Sequence, residues 1–231
     1  PSEERRRQYQ ARRVRPGTQR YHSIDTMYEL SEIAVFVAAI DALERSGAKL
    51  DHGRLYDDIR RCIDEAHRDG SIKNVIVREP ERFLARDPDL TVMLHKLRSA
   101  GKKLFLLTNS EPSYTETVMR YLLEPGKPEY PSWRGYFDAV IADADKPRFF
   151  TERREFEEVA DGSTEARVAK ELSRGRLYRR GSLTELERAF GVRGDHVLYV
   201  GDHIYGDVLR AKKDSAWRTL MIVQEMTGEI A

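Results

Sequence analysis

The sequence predicts an α/β protein with a parallel sheet, preceded by a largely helical segment. Three observations carry that expectation. Apolar runs ending in small polar or acidic residues recur at 103–110 (KLFLLTNS), 137–145 (FDAVIADAD) and 196–202 (HVLYVGD). Runs of this kind read as strands buried on both faces, the pattern of a sheet covered by helices. Amphipathic helices alternate with them, and two helical patterns precede the first run.

Taken in order, residues 1–20 carry seven arginines against Glu3 and Glu4. Few apolar side chains accompany them, so this segment reads as a solvated helix or arm. A basic arm for nucleic acid is the alternative, with Tyr9 alone as a stacking aromatic. Between Ile24 and Leu43, Ile33, Val37 and Ile40 recur at helical spacing, with Leu30 and Ala34 beside them. Ser31 or Glu29 begins this helix and Gly47 ends it. Leu55, Ile59, Cys62, Ile63 and Ala66 mark the buried face of a second helix, closed by Gly70. A third spans Asp87–Ala100: Asp87 caps it, Pro88 occupies the first turn, and Leu90, Met93, Leu94 and Leu97 face inward. Residues 153–180 are polar and weakly alternating, with Asp161-Gly162 as a hairpin turn. After the third apolar run come a short helix and a last strand, Thr219–Val223.

Composition removes several function classes. The chain has 231 residues, 40% of them hydrophobic and 9% aromatic, enough for a real core. Forty Lys+Arg balance 39 Asp+Glu, so no global field attracts nucleic acid or a membrane surface. The single cysteine, Cys62, excludes an intramolecular disulfide framework and a multi-thiolate zinc site. The longest apolar runs, such as Ile33–Leu43, are too short to span a bilayer. No signal-type leader is present, which points to the cytoplasm.

Three local patterns carry chemistry. Asp202 and Asp207 straddle a strand-to-helix turn that Gly201 and Gly206 allow to bend tightly. Hard oxygen donors in an open turn suit Mg²⁺, although either aspartate could equally cap a helix. Thr108, Asn109 and Ser110 place a hydroxyl and backbone N–H groups at a strand mouth, where they could hold a phosphate or cap the next helix. Lys146 follows the carboxylates Asp143 and Asp145, to neutralise a phosphate or to pair with those aspartates. Polar groups at the carboxyl ends of parallel strands mark the expected active site of an open α/β sheet.

In this order and strand context, the hydroxyl, lysine and paired aspartates resemble motifs two to four of the haloacid dehalogenase superfamily of phosphohydrolases. The stretches 104–110 (LFLLTNS), 136–150 (YFDAVIADADKPRFF) and 197–223 (VLYVGDHIYGDVLRAKKDSAWRTLMIV) are similar to the cytosolic purine 5′-nucleotidase family, including its bacterial members. The resemblance runs from about Tyr21 to Glu225, with 143–147 (DADKP) standing where the family has an Asp-Ala-Arg-Lys-Pro-type element. It implies a three-layer Rossmann-like core with a parallel sheet and a largely helical cap. Residues 1–85 would belong to the cap and 86–231 to the core, with an insertion near 150–180.

The resemblance further implies Mg²⁺-dependent hydrolysis of purine nucleoside 5′-monophosphates such as IMP or GMP through a phospho-aspartate. Thr108 and Lys146 would hold the phosphoryl oxygens, assisted by Asn109 and Ser110. Asp202 would ligate Mg²⁺, and Asp207 would orient Lys146 or metal-bound water. Arg60, Asp64 and His67 lie at i, i+4 and i+7 on the second helix, with Lys73 beyond Gly70. In the family the matching positions help bind the base of a substrate or effector; by themselves Arg60 and Asp64 read as a solvated ion pair. Tyr28 falls on the family's aromatic position, but Glu29 replaces the amide that follows it. A homo-oligomer and a nucleotide effector are implied as partners, without membrane or nucleic acid.

One part of the pattern is missing. The Asp-x-Asp motif expected on a first core strand, ahead of the cap, is not found, and the chain begins at Pro1. It therefore reads as the middle of a larger enzyme whose attacking aspartate lies elsewhere, so the isolated segment is expected not to turn over. The competing readings are a phosphatase for another small phosphate ester, and a non-catalytic nucleotide- or partner-binding protein on a degenerate phosphatase core.

Overall fold

The structure, a computed structural model, describes Glu3, Arg7, Ile24 and residues 27–160 and 165–223. The remainder of the arginine-rich stretch at 1–20 and the Asp161-Gly162 turn lie outside the described residues. The chain divides into two units, 1–64 with 223–231, and 65–222.

The first unit contains helix α1 (Met27–Arg45) and α2 (His52–Arg68) as far as Asp64. Helix α1 starts at Met27, ahead of both expected starts, and Glu29 in its first turn favours the positive end of the helix dipole. Gly47, at φ +74°, stands just beyond its end. The apolar face read for α2 is only half-buried, and Cys62 is exposed rather than packed. The apolar arc of each helix is broader than the stripe two helices can share, so Leu30 and Val37 of α1 are exposed as well. The buried element is polar: Glu32 accepts a hydrogen bond from Arg60 Nη1 at 2.7 Å. Phe36 and Tyr56 pack edge to face beside it, with ring centroids 5.6 Å apart.

The second unit begins with the end of α2, followed by α3 (Lys73–Arg78), α4 (Pro80–Phe83) and α5 (Pro88–Ser99). Asp87 caps α5 as expected, accepting the Asp89 N–H at 2.8 Å. Leu94 is buried and Leu90 half-buried, but Met93 and Leu97 of the expected inward face are exposed.

The strands are shorter than the apolar runs that announce them. Strand β1 (Phe105–Leu107) leads to α6 (Pro112–Leu123), a 3₁₀ turn at Trp133–Tyr136 and β2 (Ala139–Ala142). Helix α7 (Arg148–Thr151) is followed by β3 (Phe156–Val159), β4 (Ala166–Ala169), β5 (Leu177–Arg180) and α8 (Leu183–Phe190). Strand β6 (Leu198–Gly201), a π-helical stretch at Ile204–Leu209, α9 (Arg210–Asp214) and β7 (Arg218–Met221) complete the unit.

The sheet runs β1-β2-β5-β3-β4; β1, β2 and β5 are parallel, whereas β3 is antiparallel to both neighbours. Strands β6 and β7 pair in parallel as a separate ladder, so the expected parallel strands are divided between a mixed sheet and a two-stranded companion. The polar alternation at 153–180 accounts for the change. Strands with one wet face suit antiparallel pairing, and Glu157 takes Arg179 at 2.6 Å along that ladder.

Strand β2 is fully buried and divides the core. Val140 and Ala142 point to one side, with Leu94 of α5 and Leu123 of α6. Ile141 points to the other, with Leu183 and Leu186 of α8 and with Phe149, Tyr199 and Trp217. Helices thus cover both faces of the central strand. No helix among the described residues is long and apolar enough to cross a membrane.

Gly181 turns the chain from β5 into α8 at φ +82°, and a Cβ there would overlap the Phe156 ring. Gly181→Ala should destabilise the protein by more than about 2 kcal/mol, read as a lower midpoint in urea unfolding.

Candidate active site

The tips of β1, β2 and β6 bring most of the expected core residues together. Thr108 extends the ladder beyond β1, its N–H donating to Ile141 O at 2.9 Å and its carbonyl accepting from Ala144 N at 3.0 Å. Its Oγ1 accepts the Ser110 N–H at 3.1 Å, which leaves the hydroxyl proton to be donated elsewhere. Helix α6 takes Glu111 as its N-cap residue, with no side-chain cap hydrogen bond. Thr108, Asn109 and Ser110 therefore do not cap it.

Asn109 joins this loop to the next. Its Oδ1 accepts the Lys146 N–H at 2.7 Å, and its Nδ2 donates to Lys146 O at 3.0 Å. The paired bonds hold the backbone of Lys146 against the tip of β1. The lysine side chain then leaves its own strand: Nζ donates to Asp207 Oδ1 at 2.9 Å and to Tyr199 OH at 3.0 Å. It does not pair with Asp143 or Asp145, the alternative its sequence position offered. Asp145 is engaged by Arg154 at 2.8 Å instead.

Tyr199, which sequence reasoning missed, completes a triangle by donating to Asp207 Oδ1 at 2.8 Å. The apolar run at 197–201 (VLYVG) carries no signal for it: the fold leaves Leu198 and Val200 exposed, not buried on both faces as expected, and turns Tyr199 inward, where its hydroxyl needs a polar partner. Burial, then the charge and hydrogen bond of Asp207, then the charge of Asp202, push the Tyr199 hydroxyl far above the usual tyrosine range. Gly201 serves proximity as well as bending: a Cβ there would lie 2.7 Å from both Cβ and Oδ2 of Asp207. Asp202 is exposed at the end of β6.

The donor chemistry for a hard cation is present but sparse. Asp207 is committed to Lys146 and Tyr199, and Asp202 offers its carboxylate to solvent. Among the described residues no group of three or more His, Cys, Asp or Glu could hold a metal ion. Asp202 thus fits the one-carboxylate contribution that Mg²⁺ accepts alongside water and phosphate oxygens.

The residues assigned to base recognition are distributed differently. Arg60 and Asp64 belong to the first unit, where Arg60 reaches Glu32 at 2.7 Å and lies 3.6 Å from Asp64. Its principal partner is therefore the buried Glu32, not the solvated Asp64. Tyr56 also bonds Glu32, and burial followed by that bond pushes its hydroxyl up to about 12. Tyr28 stands in the first turn of α1, its side chain outside the described part. His67 and Lys73 belong to the second unit. Lys73 reaches Glu111 at 2.8 Å and sits over the Tyr114 ring.

The profile of the 5' nucleotidase family matches residues 1–231. The chain belongs to this family. It is 34% identical over 206 residues to the 5'-nucleotidase domain-containing protein 2 of Rattus norvegicus, covering 88% of this chain and 36% of that protein. The Homo sapiens protein of the same name is also 34% identical over 206 residues, covering 88% of this chain and 38% of its own length. This 5' nucleotidase family chain thus spans little more than a third of the curated relatives it matches.

Ionising Tyr199 is harder in the folded chain than in the unfolded one. The stability this provides is fully present below the ordinary tyrosine pKa of about 10 and is lost as pH rises above it. Tyr199→Phe should flatten part of the loss between about pH 9 and about pH 11, measured by urea unfolding at both values.

Proposed function

We propose that the whole protein is a phosphoric monoester hydrolase acting on purine nucleoside 5′-monophosphates, on a haloacid dehalogenase-type core. The observation that carries this reading is the lysine held at three strand tips. Lys146 is fixed through its backbone by Asn109 and through its ammonium by Asp207 and Tyr199. A cation positioned before substrate arrives can stabilise charge on a transferring phosphoryl group without reorganising.

In this reading Lys146 and the Thr108 hydroxyl hold phosphoryl oxygens, with the neighbouring Asn109 and Ser110 shaping the loop. Asp207 and Tyr199 position Lys146. Asp202 would hold Mg²⁺, which supplies countercharge for the phosphoryl oxygens. The attacking group is an aspartate that no residue described above provides. It forms a bond to phosphorus as the ester P–O bond breaks, and water then hydrolyses the phospho-aspartate.

A second reading, a different small phosphate ester as substrate, is favoured by one observation. Arg60 and Lys73, two cations assigned to the base, already have carboxylate partners in Glu32 and Glu111. Phosphate release by the intact protein with Mg²⁺ from IMP, GMP and sugar phosphates separates the two. Preferential turnover of the nucleotides supports the first reading.

Lys146→Met and Asp202→Asn should each lower turnover by at least about 100-fold while the protein remains folded by circular dichroism. Unchanged turnover in either variant removes that residue from the proposed site.

A further inference from the structure

A second polar cleft lies beside the strand tips, and apart from Asn109 the proposed mechanism uses none of its side chains. It has a volume of about 420 Å³ and is lined by Asn109, Asp143, Asp145, Arg148, Arg154 and Arg180. Its lining brings three guanidinium groups and two carboxylates together, and two further carboxylates stand beside the arginines: Glu152 lies 3.7 Å from Arg148 and 3.8 Å from Arg154, and Glu157 lies near Arg180.

The ion pairs are unevenly shared. Asp145 Oδ2 accepts from Arg154 Nη1 at 2.8 Å and lies 3.4 Å from Arg148 Nη1, so one carboxylate oxygen serves two arginines. Arg154 Nε is buried without a hydrogen-bond partner, 3.8 Å from Glu152 Oε2 and too far for a hydrogen bond. Arg180 is about half exposed, and its Nη1 lies 3.6 Å from Glu157 Oε1. These guanidinium forks retain donor capacity that the protein's own groups do not use.

The backbone supplies an independent observation. Among the described residues, the non-glycine residues with positive φ are Asp143 at 45°, Asp145 at 58° and Arg180 at 57°. All three line this cleft. Left-handed backbone is unfavourable for such residues and collects where a site requires a fixed geometry. Here it places the Asp145 carboxylate between Arg148 and Arg154 and sets Arg180 at the end of β5.

We propose that this cleft binds an oxyanion of the phosphate class through Arg148, Arg154 and Arg180, displacing Asp145 as the internal counter-ion. Planar guanidinium forks match the oxygen spacing of such an anion. A water molecule takes about 30 Å³, so the cleft has room for the anion and part of its hydration. Three arginines also oppose a divalent cation at Asp143 and Asp145. The anion arrives either as free orthophosphate or as the phosphate chain of a nucleotide. This binding does not depend on the catalytic reading above.

Calorimetric titration of the intact protein with orthophosphate, and separately with ATP, both without Mg²⁺, tests the proposal. A Lys146→Met background keeps the strand-tip site from contributing. Arg180→Gln, at an exposed position, should weaken binding of at least one ligand by about tenfold or more. Asp145→Asn, which removes the competing carboxylate, should tighten binding of the same ligand. Weakening confined to orthophosphate identifies the free anion, and weakening confined to ATP identifies the nucleotide chain; either supports the site. Unchanged affinity for both ligands in Arg180→Gln, or weaker binding in Asp145→Asn, overturns it. Thermal unfolding of each variant establishes that the comparison is between folded proteins.

Discussion

The ammonium of Lys146, held between Asp207 and Tyr199, sets the arrangement of the strand tips. Its side chain and that of Asp207 are 16% and 11% exposed, so both charges have lost most of their water. Such a pair is tolerated only when geometry and hydrogen bonding replace the lost hydration. The Tyr199 hydroxyl provides part of that replacement by donating to the same aspartate oxygen that receives Lys146. Gly201 leaves room for Asp207 to approach the end of β6. Trp217 packs edge to face against Tyr199 and Phe150, with centroids 5.7 Å and 5.8 Å away. It also meets Phe105 of β1 at 5.7 Å, so one indole braces rings from both sheets.

Backbone hydrogen bonds and side-chain charge therefore serve different purposes at the site. Asn109 aligns the loops after β1 and β2 through two neutral bonds. Those bonds fix where Lys146 leaves the backbone, while Asp207 and Tyr199 fix where its ammonium ends. Asp202 remains at the solvent edge, close enough for its charge to act on Tyr199. This division leaves a rigid cation and an accessible carboxylate at neighbouring strand ends, the location where open α/β sheets place ligands.

Much of the fold was legible because its signals are local. The Asp87-Pro88 start of α5 needs only a side-chain acceptor and a proline-compatible first turn. Strand β2 announced itself through an apolar run that is buried on both faces. Motif order likewise singled out Lys146 and Asp207, whose side chains meet at 2.9 Å. Other features depended on distant partners. Met93 and Leu97 fit a helical apolar stripe but are exposed, since periodicity specifies an arc and not how much of it a neighbour covers. The parallel pairing read from the apolar runs holds for β1, β2 and β5, whereas β3 and β4 fall in the polar stretch read as an insertion with a hairpin, and they pair antiparallel.

The amino-acid order itself specifies the helix boundaries near caps, the buried central strand, and the hydroxyl, lysine and aspartates at strand ends, because these follow from covalent proximity and periodicity. Tertiary structure decides between Asp207, which the family resemblance offered, and Asp143 or Asp145, which sequence position offered, as the carboxylate partner of Lys146, and it adds Tyr199. It also chooses Glu32 for Arg60 and Glu111 for Lys73. A buried charge bonds to whichever complementary group folding brings within hydrogen-bond distance, and separations of 61 residues for Lys146–Asp207 and 28 for Arg60–Glu32 leave no local pattern to reveal that choice.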